Sequence, residues 1–336
     1  MPPRRPALTS LALSLMACLL LSGCALGPFS RMVITPSQAK QVVAAYWKVN
    51  DTVNVAAGHR KALLADLAAE ETGYAFEVDR PYLVAQARLW SSTAQQKYIS
   101  LKSIKVYVPR QISYPAEFLA VVSYPFVNAD GTISTDFNQT FLYRFRTPSA
   151  NSPWRLDFYA EYTFGSVPKL RVDSQGYAER VPMADNGQFA TPPYDAAREY
   201  ANFITSEAGK SNPSGIESYM INFAGQKLVL PVRIEPDEYD AYLTTGGDAF
   251  VLFTLDFNAM PTPDTNGSCM TQPRGSTATA MPFLGPLVPP GDYRFVLINQ
   301  LWMMTLLTQR ATAKANTSLI GFTEGDIDAV AEPCKG

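Results

Sequence analysis

From Trp154 to Phe164 the chain alternates without a break. Leu156, Phe158, Ala160 and Tyr162 fall on one face of an extended segment, and Arg155, Asp157, Tyr159 and Glu161 fall on the other. A period of two belongs to a β-strand, not a helix. One apolar face and one polar face predict an antiparallel sheet that covers a core on one side. Upstream, Thr140–Arg146 makes a hairpin partner across residues 147–153, Phe118–Phe126 is an apolar and aromatic run, and Ser103–Val108 alternates around Ile104, Val106 and Val108. Asn128-Ala129-Asp130-Gly131 supplies an Asp-Gly hairpin turn between the second and third of these runs.

Helical spacing precedes the strands. Thr35-Pro36-Ser37-Gln38 is a helix start, with a Thr cap, Pro at the first helical position and Gln three residues after the cap. Ala39, Val42, Val43, Tyr46 and Val49 then recur at three and four residues. Asn50-Asp51 predicts a break, and a second helix is expected from about Val53 to Glu71, with Gly73 as terminator. Strand texture is expected from Tyr74 onward. The order then repeats. Thr191-Pro192 heads a helix carrying Ala197, Tyr200, Ala201 and Ile204, and strands follow at Leu228–Ile234, Ala249–Phe257, Tyr293–Gln309 and Thr317–Phe322.

This pattern predicts an α+β fold of two tandem helix-plus-antiparallel-sheet domains, cystatin-like or nuclear-transport-factor-like in style. The expected division is a leader at 1–23, a tether at 24–34, an N-terminal α+β domain at 35–165, a linker at 166–190 and a C-terminal α+β domain at 191–336.

The leader decides the compartment. Arg4 and Arg5 precede a short apolar run, Leu11 to Leu21, which ends in Leu21-Ser22-Gly23-Cys24. A positive start, a short greasy middle and small residues before a cut are the parts of a signal peptide, and the run is too short to span a bilayer comfortably. The tetrapeptide resembles the bacterial lipobox, which implies that Cys24 takes a diacylglycerol and becomes the mature N-terminus. The expected location is the extracytoplasmic face of the cell membrane, with the membrane itself as a partner through the lipid. Cys18 is lost with the leader, so Cys269 and Cys334 remain. In an exported chain such a pair reads as a disulfide. It closes a loop of about 65 residues, worth about 4 kcal/mol in a loop-entropy account.

Charge and residue counts exclude several chemistries. Removing Arg4 and Arg5 from 28 basic residues leaves 26 against 30 acidic ones, a net charge of −4. No concentrated basic surface is on offer for nucleic acid. His59 is the only histidine, and it stands beside Arg60 and Lys61. No Gly-x-Ser-x-Gly elbow accompanies it. Zinc needs grouped imidazoles or thiolates, so no metal is expected. Oxygen-only sites at Asn128-Asp130 or along Glu324, Asp326 and Asp328 lack the full ligand pattern of a calcium loop. No phosphate-cradling loop or dinucleotide fingerprint occurs, so no cofactor is expected. The adjacent pair Glu70-Glu71 is expected to point apart. With 17 Tyr, 18 Phe and 4 Trp, the aromatic residues are the better binding candidates, and Tyr143 and Tyr159 are expected on an open sheet face.

Residues 33–89 carry the capped segment Thr35-Pro36-Ser37-Gln38-Ala39, then Tyr46-Trp47-Lys48-Val49-Asn50, Leu63-Leu64, Glu70-Glu71-Thr72-Gly73 and Asp79. In these the chain resembles a group of uncharacterised actinobacterial lipoproteins, those of high-GC Gram-positive bacteria with an N-terminal lipobox. The resemblance implies a lipoprotein and brings no activity with it. The functional expectation is a cell-envelope lipoprotein acting as a binding or assembly-support module, with an envelope protein or a small ligand as partner. The alternative is a carboxylate-based hydrolase with its site in a concave sheet. A non-enzymatic role is the favoured expectation.

Overall fold

The structure is a computed structural model describing residues 32–89, 98–127, 132–162, 166–181, 187–207, 226–234, 240–261, 270–272, 291–311 and 317–334. Helix α1 spans Pro36–Gly58. Its start is a complete capping box: Thr35 Oγ1 accepts from the Gln38 N–H at 3.3 Å, and Gln38 Oε1 accepts from the Thr35 N–H at 2.9 Å. The break expected at Asn50-Asp51 does not occur. Thr52 donates its hydroxyl to the Lys48 carbonyl at 2.8 Å, and Asp51 accepts the Ile99 N–H. The polar residues here bond along the helix or to the strand approach instead of competing with the turn.

Helices α2 (Leu64–Glu70) and α3 (Gly73–Leu89) follow. The second is a correction, because strand texture was expected from Tyr74. Its aromatic and β-branched residues favour extended chain, and Pro81 argues against a helix interior. Packing overrides both: Ala75, Val78, Leu83 and Ala85 are buried, and α3 lies against the sheet. Gly73, expected to end a helix, instead opens this one with φ of +54°, a conformation that glycine adopts without strain.

The strands are β1 (Ser103–Tyr107), β2 (Ala116–Val127), β3 (Ile133–Thr147), β4 (Arg155–Glu161), β5 (Gln226–Ile234), β6 (Asp240–Leu243), β7 (Ala249–Pro261), β8 (Met270–Gln272), β9 (Gly291–Thr308) and β10 (Thr317–Pro333), with α4 (Pro193–Glu207) between β4 and β5. All pair antiparallel in the order β1-β2-β3-β4-β10-β9-β7-β5, with β6 on β7 and β8 on β9. The fold is α+β, with two sheet regions, β1–β4 and β5–β10. They join at one register pair, Phe322 with Glu161.

Among the described residues, three clusters of buried side chains cover the sheet, and a fourth, Val53, Ala57, Leu67 and Leu83, joins the first three helices. Tyr46 and Val43 of α1 cover Phe118, Ala120, Tyr143, Phe145 and Leu156 on one face of the first region. Ala197, Tyr200 and Ile204 of α4 cover Val251, Phe253 and Met304 on one face of the second. The remaining faces meet each other: Leu119, Leu142 and Phe158 pack with Tyr242, Phe250, Leu252 and Met303. Residues 166–181, expected as linker, are stitched into both regions. Ala178 donates its N–H to Val108 O at 2.7 Å, and Val181 donates to Ala241 O at 2.9 Å.

The uniform alternation of residues 155–162 also needs correction. Arg144 pairs with Phe158 but Phe145 pairs with Leu156. Asp157 is therefore an extra residue, a β-bulge. An inserted residue reverses the side chains beyond it. Leu156 joins Tyr143 and Phe145 under α1, while Phe158 and Ala160 join the opposite cluster.

Near the junction of the regions, Gly321 of β10 lies against β4. A Cβ there would stand 2.7 Å from the Tyr162 ring and 2.9 Å from Thr305 Oγ1. Tyr162 and Thr305 hydrogen-bond each other at 2.7 Å, and Thr305 donates to the Gly321 carbonyl at 3.1 Å. Gly321→Ala is expected to destabilise by about 1–3 kcal/mol, the usual cost of overpacking. Urea denaturation checks this as a lower midpoint with an unchanged slope; a variant as stable as the parent would disprove the close approach.

Candidate functional site

Two polar clusters are built into this framework. The first collects two carboxyls beneath α1 and α3. Glu71 leaves the end of α2 in extended conformation and bridges to Leu156 of β4, and Thr72 donates its N–H to the Leu156 carbonyl at 2.8 Å. This turns the Glu71 side chain inward, where it is 1% exposed. Tyr46 of α1 donates its hydroxyl to Glu71 Oε1 at 2.8 Å. Asp79 of α3 accepts a short hydrogen bond from the Tyr159 hydroxyl. Tyr143 lies between them, its ring centroid 5.7 Å from that of Tyr46 and 6.4 Å from that of Tyr159.

Burial pushes the Glu71 carboxyl well above its usual range, and the neighbouring Asp79 charge adds to it. Burial also raises Asp79, to about 6, against the hydrogen bonds from Tyr159 and Glu71 that pull it down. With both groups ionised, Glu71 Oε2 has no donor. One proton on Glu71 resolves this, because its carboxyl then donates to Asp79. Two close carboxyls in a dry setting cannot both ionise cheaply. Burial foremost, with the carboxylate charges, also raises the hydroxyls of Tyr46, Tyr143 and Tyr159, so they remain donors. The cluster is therefore an acid and a conjugate base of different proton affinity, held in a tyrosine cage.

The second cluster joins the two sheet regions. Arg144 of β3 is fully buried and grips Asp157 with two bonds, at 3.0 and 3.1 Å. Its third nitrogen reaches Asp240 of β6 at 3.0 Å. Arg146 contacts Glu117 at 3.0 Å, Asp157 at 3.2 Å and Asp240 at 3.3 Å. Arg180 pairs with Glu117 and Asp240, and Tyr242 donates to Glu117 Oε1 at 2.9 Å. Three guanidinium groups thus face three carboxylates. The bulge at Asp157 is what aims that carboxylate at Arg144.

The binding candidates Tyr143 and Tyr159 are brought together here, but not on an open face as expected. Tyr143 is 5% exposed, because α1 and α3 cover this side of the sheet. Glu71 and Asp79 were missed as a pair. Only the turn of chain between α2 and α3 makes residues eight apart converge. Arg144 and Arg146 left a readable signal, two cations in the otherwise apolar Phe141–Arg146 run, with Glu117 in register opposite Arg146. His59 is exposed at the C-terminal cap of α1. Cys24, Cys269 and the Asn128–Gly131 turn lie outside the described residues. Glu324, Asp326 and Asp328 lie in β10, not in a tail, with a register shift between Asp326 and Asp328. Among the described residues no helix is long and apolar enough to cross a membrane.

No curated protein and no solved structure matches the chain. The family described as Domain of unknown function (DUF8094) matches residues 30–218, a span that holds α1 to α4, strands β1 to β4 and the whole carboxyl–tyrosine cluster. With more than half of its length covered, the chain belongs to the DUF8094 family.

Proposed function

We propose that the protein is a cell-envelope lipoprotein, held by a lipid on Cys24, whose folded part is a binding or assembly-support module. The observation that carries the non-catalytic part is the saturation of the second polar cluster. Glu117, Asp157 and Asp240 are each engaged by arginines of the same chain, so these acids serve as a clamp between sheet regions. The anchor rests on Leu21-Ser22-Gly23-Cys24 after a positive start and a short apolar run. The Cys269–Cys334 disulfide is part of the proposal. Its support is that these are the two cysteines left in an exported chain once the leader is removed.

Mass spectrometry of the mature protein is expected to find a diacylglyceryl group on Cys24 and a linked Cys269–Cys334 peptide. A Cys24→Ser chain is expected to leave the membrane fraction; retention there would refute the anchor.

The Glu71–Asp79 pair favours one second reading, a carboxylate-based hydrolase with Glu71 as acid and Asp79 as base. A Glu71→Gln protein that is folded and correctly placed but fails to complement a deletion strain would select it. Full complementation selects the binding reading.

A further inference from the structure

We propose that the loop of residues 109–115, with Val172 of the turn beside it, is the face that rests on the lipid bilayer, with Ile112 and Tyr114 entering the headgroup region. The proposal rests on the Cys24 anchor. Ile112 is 61% exposed, Tyr114 39% and Val172 44%. These apolar side chains stand on two loops held rigidly together: Arg110 pairs with Asp173 at 2.6 Å and donates to Gln175 at 2.8 Å. The 109–115 loop is also pinned to β2, because Gln111 accepts the Glu117 N–H at 2.8 Å and donates to its carbonyl.

The position of the chain's entry selects the lipid surface as occupant. Val33 donates its N–H to the Gln111 carbonyl at 2.9 Å, and Ile34 is buried directly after it. The anchor path therefore ends on this loop. Nine residue steps separate Cys24 from Val33. Fully extended they reach roughly 31 Å, less than the roughly 50 Å width expected of a folded chain of this size. A lipid at Cys24 thus holds this end of the molecule near the bilayer and keeps other exposed apolar residues, such as Ile133 and Phe137 at the β2–β3 hairpin, free to lie farther away. Tyr114 has the greasy body and polar tip that suit the interface, and Ile112 supplies a purely apolar side chain beside it.

Hydrogen exchange read by mass spectrometry tests this on the full acylated chain in vesicles of phosphatidylglycerol and phosphatidylethanolamine, against the Cys24→Ser chain free in solution. Amides of residues 110–114 are expected to slow several-fold on vesicles, while those of 133–138 stay unchanged. An Ile112→Ser, Tyr114→Ser double variant is expected to keep its circular dichroism and its acyl group but lose the slowing. An acylated, vesicle-bound chain with unchanged exchange at 110–114 would overturn the docking face and leave the anchor standing. So would a double variant that keeps the slowing, since tether crowding would then explain it. A chain found unacylated at Cys24 overturns the anchor and this proposal together.

Discussion

Replacing Arg144 with methionine is expected to destabilise the protein by about 3–5 kcal/mol, the scale seen when one partner of a buried ion pair is removed. The side chain is 0% exposed and holds Asp157 and Asp240 at once. Methionine fills much of the volume, so the loss reports the stranded carboxylates more than a cavity. Arg146 and Arg180 then remain, two cations for the three carboxylates of Glu117, Asp157 and Asp240. Because the pairs are buried, the loss is expected to persist in high salt, where exposed pairs are screened. Urea denaturation of both proteins, with and without added salt, measures it. A difference below about 1 kcal/mol would place this cluster in the class of exposed pairs and remove it as the clamp between the two sheet regions.

The second large effect concerns pH. Asp79 is raised from an ordinary 3.8 to about 6, chiefly by burial, so the folded state holds this proton more tightly than the unfolded chain does. Its stabilising contribution is complete below about pH 4 and is lost as pH rises through about 6, by at most about 3 kcal/mol for this shift. Partial exposure of the side chain makes this a ceiling. Glu71 is raised in the same direction and extends the loss to higher pH. The other groups facing the pair are Glu70 and the hydroxyls of Tyr46, Tyr124, Tyr143 and Tyr159. Asp79→Asn removes the titration and keeps an acceptor for Tyr159. The variant is expected to match the parent near pH 4 and to exceed it in stability at pH 8. Equal stability of the two proteins across that range would show that Asp79 keeps an ordinary affinity for its proton.

The two effects act on different parts of the fold, which makes them separable. Arg144 lies in the polar cluster between the sheet regions, whereas Asp79 lies under the helices of the first region. Residues distant and without shared partners are expected to add in a double variant.

What the sequence determined by itself was local. The Thr35 capping box and the strand runs at 103–108, 118–126, 140–146 and 249–257 reappear in the structure, and the helix expected from Thr191-Pro192 forms but opens at Pro193, because caps and side-chain periods depend on neighbours within a few residues. Tertiary structure decided the rest. Helix α3 forms against a β-leaning sequence because its buried face packs on the sheet. The bulge at Asp157 reverses Leu156 because β3 sets the register of β4. The Glu71–Asp79 pair and the Arg144 clamp exist only where segments 8 to 96 residues apart converge. Their proton affinities follow from the same convergence, since burial, the main cause of each carboxyl shift, is a property of the assembled core and not of any stretch of chain.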